Sequence, residues 1–480
     1  MGVVAKNAGC KESVMGRRLG GCVGMLLLGL SVTAAAWGQQ AAWTVKPEWV
    51  QAHEEFLASD VMQGRGSATR DEEITATYVA SEFMGYGLKT APGMTGYIQS
   101  AEVVAPELDG HAGLSVGGLQ LSEGDEFQVL TSSGSDVSGP LLKVKAADVA
   151  KVSEAKGAVI LVTDVQAGVN PLTFAQGLRR SGAAMVVVEE NEATVAVLAM
   201  FGGKTRVPVR LKDGPARAGI TIVTVNPDRL SKLAAIKDGE TVSLSLHVAQ
   251  LTKPRETFNA IGYLEGTDPS SGTILLTAHL DHLGVGRPVK GDAIFNGAND
   301  DAAGTTAVLE LAHALAAGPR LKRNVLFVCY GSEEIGELGS TYFGEHPPVP
   351  LKSLVANLEF EMIGAQDPKM PKGVLLLTGW ERSNLGPTLK AHGALLGPDP
   401  YPEQHFFERS DNYALALQGV VAHTAAGWGT VPTYHQPNDD LAHLDVPFMT
   451  AAIQSLVEPV RWLANSDFRP EWVAGGKPSR

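Results

Sequence analysis

Several side chains able to do chemistry together stand at or just past the ends of apolar runs. Glu333 and Glu334 follow Asn324–Tyr330 in RNVLFVCYGSEEIGELGS. His279 and Asp281 follow TILLTA, Asp300 and Asp301 sit in NGANDDAAG, Glu361 closes VANLEFE, and His435 lies in TYHQPNDD. Two imidazoles with several carboxylates and no thiolate suit a hard-to-borderline divalent cation, zinc first. One carboxylate can bridge two ions. Two-metal hydrolases hold their ions about 3.5–4 Å apart, so that one polarises the scissile carbonyl while both hold the attacking hydroxide. A metal-bound carboxylate is a poor base, so one of the paired glutamates has to stay free to carry a proton.

Such groups meet only if strands deliver them to one edge. TILLTA (Thr273–Ala278), NVLFVCY (Asn324–Tyr330), VANLEFEM (Val355–Met362) and VLLLTG (Val374–Gly379) read as strands buried on both faces. Helices fit TTAVLELAHALAA and, after the N-cap Asp445, VPFMTAAIQSLVEPVRWLA. Two amphipathic helices, around Trp49–Leu57 and Ile74–Phe83, flank the polar turn GRGSATRDEE. The expected fold is α/β: a mixed, mostly parallel central sheet with helices on both faces, which gathers its ligands at the strand ends.

At 480 residues the chain exceeds one ordinary core. The sequence predicts an N-terminal part of the main domain over 43–104, an inserted small β-rich α/β module over 105–251, the main part over 252–466, and a flexible tail over 467–480. The insert, with KGAVILVTD, AAMVVVEE and GITIVTVN, carries no clustered His, Cys or acid set. The balance of 39 basic against 52 acidic residues argues against nucleic acid or an anionic membrane as partner. Arg17-Arg18, the apolar stretch Cys22–Val32 and small residues to Gly38 read as a signal peptide over 1–38, too short to anchor in a membrane, so the protein is expected in the periplasm or outside the cell. Cys10 and Cys22 would leave with it, and Cys329 is read as core.

TAHLDHLG, GANDDAAG, GSEEIGELGS, EMIG, ERSDNYALALQGV and YHQPNDD, in that order over about Ala260–Ala464, resemble the co-catalytic (two-zinc) metallo-aminopeptidase and glutamate carboxypeptidase family, which also includes glutaminyl cyclases. The module before them looks like its inserted protease-associated domain. The resemblance implies two zinc ions per chain, peptide substrates and a role for each matching residue. His279 and Glu361 would hold the first ion, Glu334 and His435 the second, Asp300 would bridge, and Glu333 would be the general base. Glu361 stands where the family more often has aspartate, with Glu359 as the alternative ligand.

Around these, Asp281 is expected to accept the second ring N–H of His279, and Asp301 to cap a helix. Ser410 and Asp411 would buttress the pocket, and Tyr434 would donate to the oxyanion. His282, His313, His423 and His443 are read as core or surface histidines. No G-x-S-x-G elbow supports a serine triad. The expected activity is exopeptidase, most directly aminopeptidase, with carboxypeptidase or glutaminyl-cyclase-like chemistry as alternatives.

Overall fold

The computed structural model describes residues 43–479 apart from 105–106, 109, 167–168, 171, 179–180, 201–204, 215–219, 247 and 250–254. The expected signal peptide over 1–38 and the expected boundary at 251 lie outside the described residues. The elements used below are strands β1 (Ile98–Val104), β2 (Arg210–Leu211), β3 (Arg255–Leu264), β4 (Thr273–His279), β5 (Asn324–Tyr330), β6 (Leu354–Glu361), β7 (Leu375–Leu377), β8 (Leu396–Pro398) and β9 (Ala422–Ala426), with helices α1 (Pro47–Leu57), α2 (Arg70–Gly85), α3 (Ala303–Ala316) and α4 (Val446–Asn465).

Among the described residues these strands form a nine-stranded sheet in the order β8-β7-β9-β6-β4-β5-β3-β1-β2. The centre is parallel: β4 pairs with β5 on one side and β6 on the other, and β6 pairs with β9. Antiparallel pairing of β3 with β5 and of β7 with β9 bounds that centre. Every residue of β4 and β5 is buried, as continuous apolar runs in a sheet covered on both faces should be. α3 is buried along nearly its whole length and packs with α1, α2, α4 and the central strands in the largest apolar core. Asp445 begins α4 by accepting the Phe448 amide, the capping read from the sequence. Cys329 is a buried free thiol in β5.

Among the described residues a second sheet, of eight strands between Gly113 and Ser245, has its own apolar core around Val159, Leu161, Val187 and Val223. The short β2, from the same stretch of chain, forms the sheet edge by hydrogen-bonding to β1, and Leu211 packs there with Val103 and Leu338. The segment after 466, expected as a flexible tail, is docked instead. The Glu471 amide donates to Asn384, the Val473 amide donates to the Arg382 carbonyl, and the Trp472 indole lies against Phe407 and His423. Its two aromatic residues, Phe468 and Trp472, both pack against apolar core, which the proline- and glycine-rich composition obscured.

One buried acid lies apart from the strand ends. The Glu54 carboxylate, between α1 and α3, accepts a 2.8 Å bond from the Thr306 hydroxyl. Burial pushes its pKa from 4.5 up to about 8, with the Thr306 bond and the Arg65 charge opposing only in part. The unfolded chain therefore releases this proton near 4.5 and the folded chain near 8, so this group's contribution is intact below 4.5 and is lost as pH rises through 8. Glu54→Gln should melt higher than the unsubstituted protein at pH 8, by a few kcal/mol of stability. That gap should close towards pH 4.5, and thermal melts that stay parallel across this range would contradict it.

Candidate active site

The C-terminal ends of β4, β5 and β6 meet the loops before α3 and before α4, which puts the singled-out side chains in one cluster. His279 Nε2 lies 3.2 Å from Asp300 Oδ1, and His435 Nε2 lies 3.2 Å from Asp300 Oδ2 and 3.1 Å from Glu334 Oε2. Donor atoms of His279, Asp300 and Glu361 lie within 4.8 Å of one another, and so do those of His282, Asp300 and Glu334. Asp300 belongs to both groups and stands between them.

Glu333, Glu334, His279 and Asp300 are each hung from a backbone amide gripped by a buried carboxylate. Asp281 accepts the amides of Glu333 (3.0 Å) and Glu334 (3.4 Å), with the Ser67 hydroxyl at 2.5 Å. Asp301 accepts the amides of His279 (3.3 Å), Met362 (2.9 Å) and Gly304 (2.9 Å), so it ties β4 and β6 together as well as capping the start of α3. Asp439 accepts the amides of Asn299 and Asp300, both at 3.0 Å. Glu72 accepts the Ser332 amide (3.1 Å) and hydroxyl (2.9 Å), fixing the residue before Glu333. Ser332, Met362 and His435 all hold the left-handed backbone conformation, with φ of 55°, 53° and 55°. Such strain costs a non-glycine residue of order 1 kcal/mol or more and persists only where the surroundings over-determine it. Here the carboxylate grips do that for Ser332 and Met362.

Two expectations change in detail. His279 Nδ1 lies 3.1 Å from the backbone carbonyl of Asp281 and 3.8 Å from its carboxylate, because that carboxylate is occupied by the Glu333-Glu334 turn. Glu359 is committed elsewhere, accepting from the Ser410 hydroxyl (3.0 Å), the Thr424 hydroxyl (3.2 Å) and the Asn412 amide. That leaves Glu361 as the carboxylate beside His279 and Asp300. Asp411 is fully buried close to Glu359, and burial and the Glu359 charge raise its pKa well above the usual carboxylate range. Tyr434 stacks on the His435 ring at 3.8 Å and is partly exposed.

One of the histidines read as core or surface lies within the cluster. His282, set aside as core or surface, is fully buried with Nδ1 2.7 Å from Glu334 Oε1. The sequence signal was its place three residues after His279 at the end of the same buried strand. His423 behaves as expected, buried between Ser383 and the Thr378 carbonyl. Arg65, in the segment read only as a polar turn, is a buried group that the sequence did not single out. Its fully buried guanidinium donates to the carbonyls of Leu57, Leu280, Asn296 and Gly297 and supplies a fixed positive charge beneath the acids.

The protonation pattern follows from this crowding. Burial would lower His279 and His435, but neighbouring carboxylates outweigh it: His279 rises well above the imidazole range and His435 to about 10. Burial and the Asp300 charge push Glu334 up, yet the His282 and His435 rings carry it down to about 2. Glu333 goes the other way. Burial lifts it well above the carboxylate range, the Glu334, Asp411 and Glu361 charges add to this, and His279 opposes. Of two adjacent glutamates, one is thus favoured as the anion while the other has its proton affinity raised.

The donor set fits divalent cations. His279 Nε2 and Glu334 Oε1 are buried without a well-aligned hydrogen bond, although an opposite ligand atom lies within 3.2 Å of each. Buried polar atoms without partners are costly unless a cation takes that place.

Residues 259–458, which carry all of these groups except Ser67, Arg65 and Glu72, match the family model described as Peptidase family M28. Over this segment the chain is similar to peptidase family M28. The M28 segment begins within β3 and ends within α4. Among curated relatives, the chain is 27% identical over 262 residues to the probable leucine aminopeptidase 2 of Aspergillus oryzae, covering 48% of this chain and 49% of that one. It is 26% identical over 358 residues to the probable lipoprotein aminopeptidase LpqL of Mycobacterium tuberculosis, covering 64% of each. The chain thus spans 49% and 64% of the length of these relatives. BSAP, a zinc aminopeptidase from Bacillus subtilis, shares the fold, with a TM-score of 0.50 at 18% identity over 91% of this chain and 98% of that one.

Proposed function

We propose that this protein is an exported, two-zinc exopeptidase of the M28 type that removes residues from peptide N-termini. The observation that carries this reading is the pair of ligand groups sharing Asp300, with a protonatable Glu333 beside them. His279, Asp300 and Glu361 would hold the first ion, and Asp300, Glu334 and His435 the second. The relatives named as aminopeptidases, one of them a zinc enzyme, support the metal and the direction of attack. Bound there, zinc supplies Lewis acidity toward the scissile carbonyl and makes water acidic near neutral pH.

The chain's own residues do the remaining work. The Glu333 carboxylate takes a proton from the attacking water and returns it to the departing amine, and its amide, held by Asp281, keeps it beside Glu334. Tyr434, stacked on His435, is placed to donate toward the developing oxyanion. A cavity of about 40 Å³ opens beside Glu361 and Tyr434, walled by Met362, Leu376, Phe406 and Ala426, and would receive the side chain next to the scissile bond. The eight-stranded sheet would be an inserted protease-associated domain that shapes access to this cleft. Export rests on the basic and apolar pattern before Gly38; no helix among the described residues is long and apolar enough to cross a membrane.

A panel of aminoacyl, N-acetylated and N-terminal glutamine peptides, offered to the zinc-loaded full chain, tests the reading. Hydrolysis of free N-termini with no cleavage of N-acetylated peptides is expected. Release of C-terminal residues from blocked peptides would make it a carboxypeptidase, and ring closure of glutamine without hydrolysis would make it a cyclase.

A further inference from the structure

His282 is a donor that the roles above leave unused. Its ring is fully buried, and Nδ1 lies 2.7 Å from Glu334 Oε1 and 3.9 Å from Asp300 Oδ2. Its ring centroid stands 5.7 Å from that of His435. A ring N–H aimed straight at a carboxylate from 2.7 Å would make a strong hydrogen bond, yet the His282 ring is not aligned on Glu334 Oε1 well enough to make one of good geometry. The two atoms are close without being aligned. His279 Nε2 and Asp300 show the same signature at 3.2 Å, and that pair belongs to the first ion's ligands.

Close approach without alignment is what a shared cation produces. Each lone pair points at the ion, and atoms bound at about 2.0–2.2 Å cannot stand more than about 4.4 Å apart. Both His282 distances satisfy that limit. The backbone is shaped around the ring as well: Gly297 has φ +60°, and a Cβ built there would meet the His282 ring at 2.5 Å.

We infer that His282 Nδ1 is a direct ligand of the second ion. That ion then has four protein ligands, His282, Asp300, Glu334 and His435, whereas the first has three, His279, Asp300 and Glu361. Zinc sites with four protein ligands are closed, and those with three keep a position open for water or substrate. The second ion is accordingly the tightly held one, and exchange with solvent and substrate belongs to the first, next to Glu361 and the cavity beside it. The inference rests on the two-ion reading of the proposed function.

Zinc titration of the metal-stripped full chain tests it, with metal-free melting curves as the check on folding. The unsubstituted chain should bind two ions, one much tighter than the other. His282→Ala and His282→Asn should each weaken the tighter ion by about 100-fold or more, beyond the loss typical of removing a group that only supports a ligand. Asparagine keeps an N–H for Glu334 but is no substitute for imidazole on zinc. Wild-type affinity in His282→Asn would make His282 a mere hydrogen-bond donor and overturn the inference, as would two unweakened ions in His282→Ala. An unsubstituted chain that binds fewer than two ions would overturn the two-ion reading beneath it. If both variants misfold, the unsubstituted chain loaded with one equivalent of zinc decides: X-ray absorption showing two imidazoles on the tighter ion agrees with His282 beside His435, and a single imidazole overturns the assignment.

Discussion

Replacing Glu333 by glutamine is expected to lower turnover by about 10²–10⁴-fold, the range a positioned general base contributes, while bound metal stays near the unsubstituted level. Both halves follow from the position of the group. Glutamine matches glutamate in shape, and the main-chain grip that Asp281 holds on Glu333 and Glu334 does not depend on the Glu333 side chain. The proposed ligands are His279, His282, Asp300, Glu334, Glu361 and His435, so removing the Glu333 charge takes away no ligand. What disappears is a carboxylate whose proton affinity burial and the surrounding acids have raised. Steady-state kinetics with an aminoacyl substrate, alongside zinc analysis of the same sample, check both halves. Full turnover in Glu333→Gln would remove Glu333 from the chemistry, and loss of metal would make it a ligand.

Stripping divalent ions is expected to abolish hydrolysis and to lower the melting temperature, and zinc should restore both. The site packs Asp300, Glu333, Glu334 and Glu361 together, ringed by the buried carboxylates of Glu72, Asp281, Asp301, Glu359 and Asp439, with Arg65 as the buried guanidinium among them. Without cations the acids are balanced chiefly by protonation. The raised His279 and His435, the latter to about 10, express that demand for positive charge. An ion present at 1,000 times its dissociation constant stabilises the folded chain by about 4 kcal/mol, which moves the melting temperature by several degrees or more. Protons and ions compete for the same imidazoles, so zinc affinity should rise with pH up to the value near 10 at which the metal-free His435 loses its proton. A melting temperature indifferent to chelator would contradict this balance.

The parts of the site that were legible from the chain are those fixed by local pattern. Uninterrupted apolar runs marked β4, β5 and β6, and reactive residues at the ends of such runs had to share an edge once the strands were parallel. His279, Asp300, Glu334, Glu361 and His435 meet for that reason. What escaped was the support, because its contacts join residues far apart in sequence. Glu72 holds Ser332 across 260 residues and Asp439 holds Asp300 across 139, and no periodicity announces a carboxylate that accepts a distant amide. Arg65 was hidden by its setting, since a polar turn gives no sign that its cation will be enclosed by four carbonyls. His282 was hidden by its company, as a histidine beside a stronger candidate in a buried stretch reads as packing. The Glu359-Glu361 choice turned on which carboxylate Ser410, Asn412 and Thr424 had already taken.

Metal counting tests the two-ion centre most directly. The full chain, saturated with zinc and dialysed free of excess, should hold two zinc ions per polypeptide by elemental analysis, falling below two in His435→Ala. One ion or none in the unsubstituted chain, or two retained in His435→Ala, would contradict the shared-Asp300 centre on which the proposed chemistry depends.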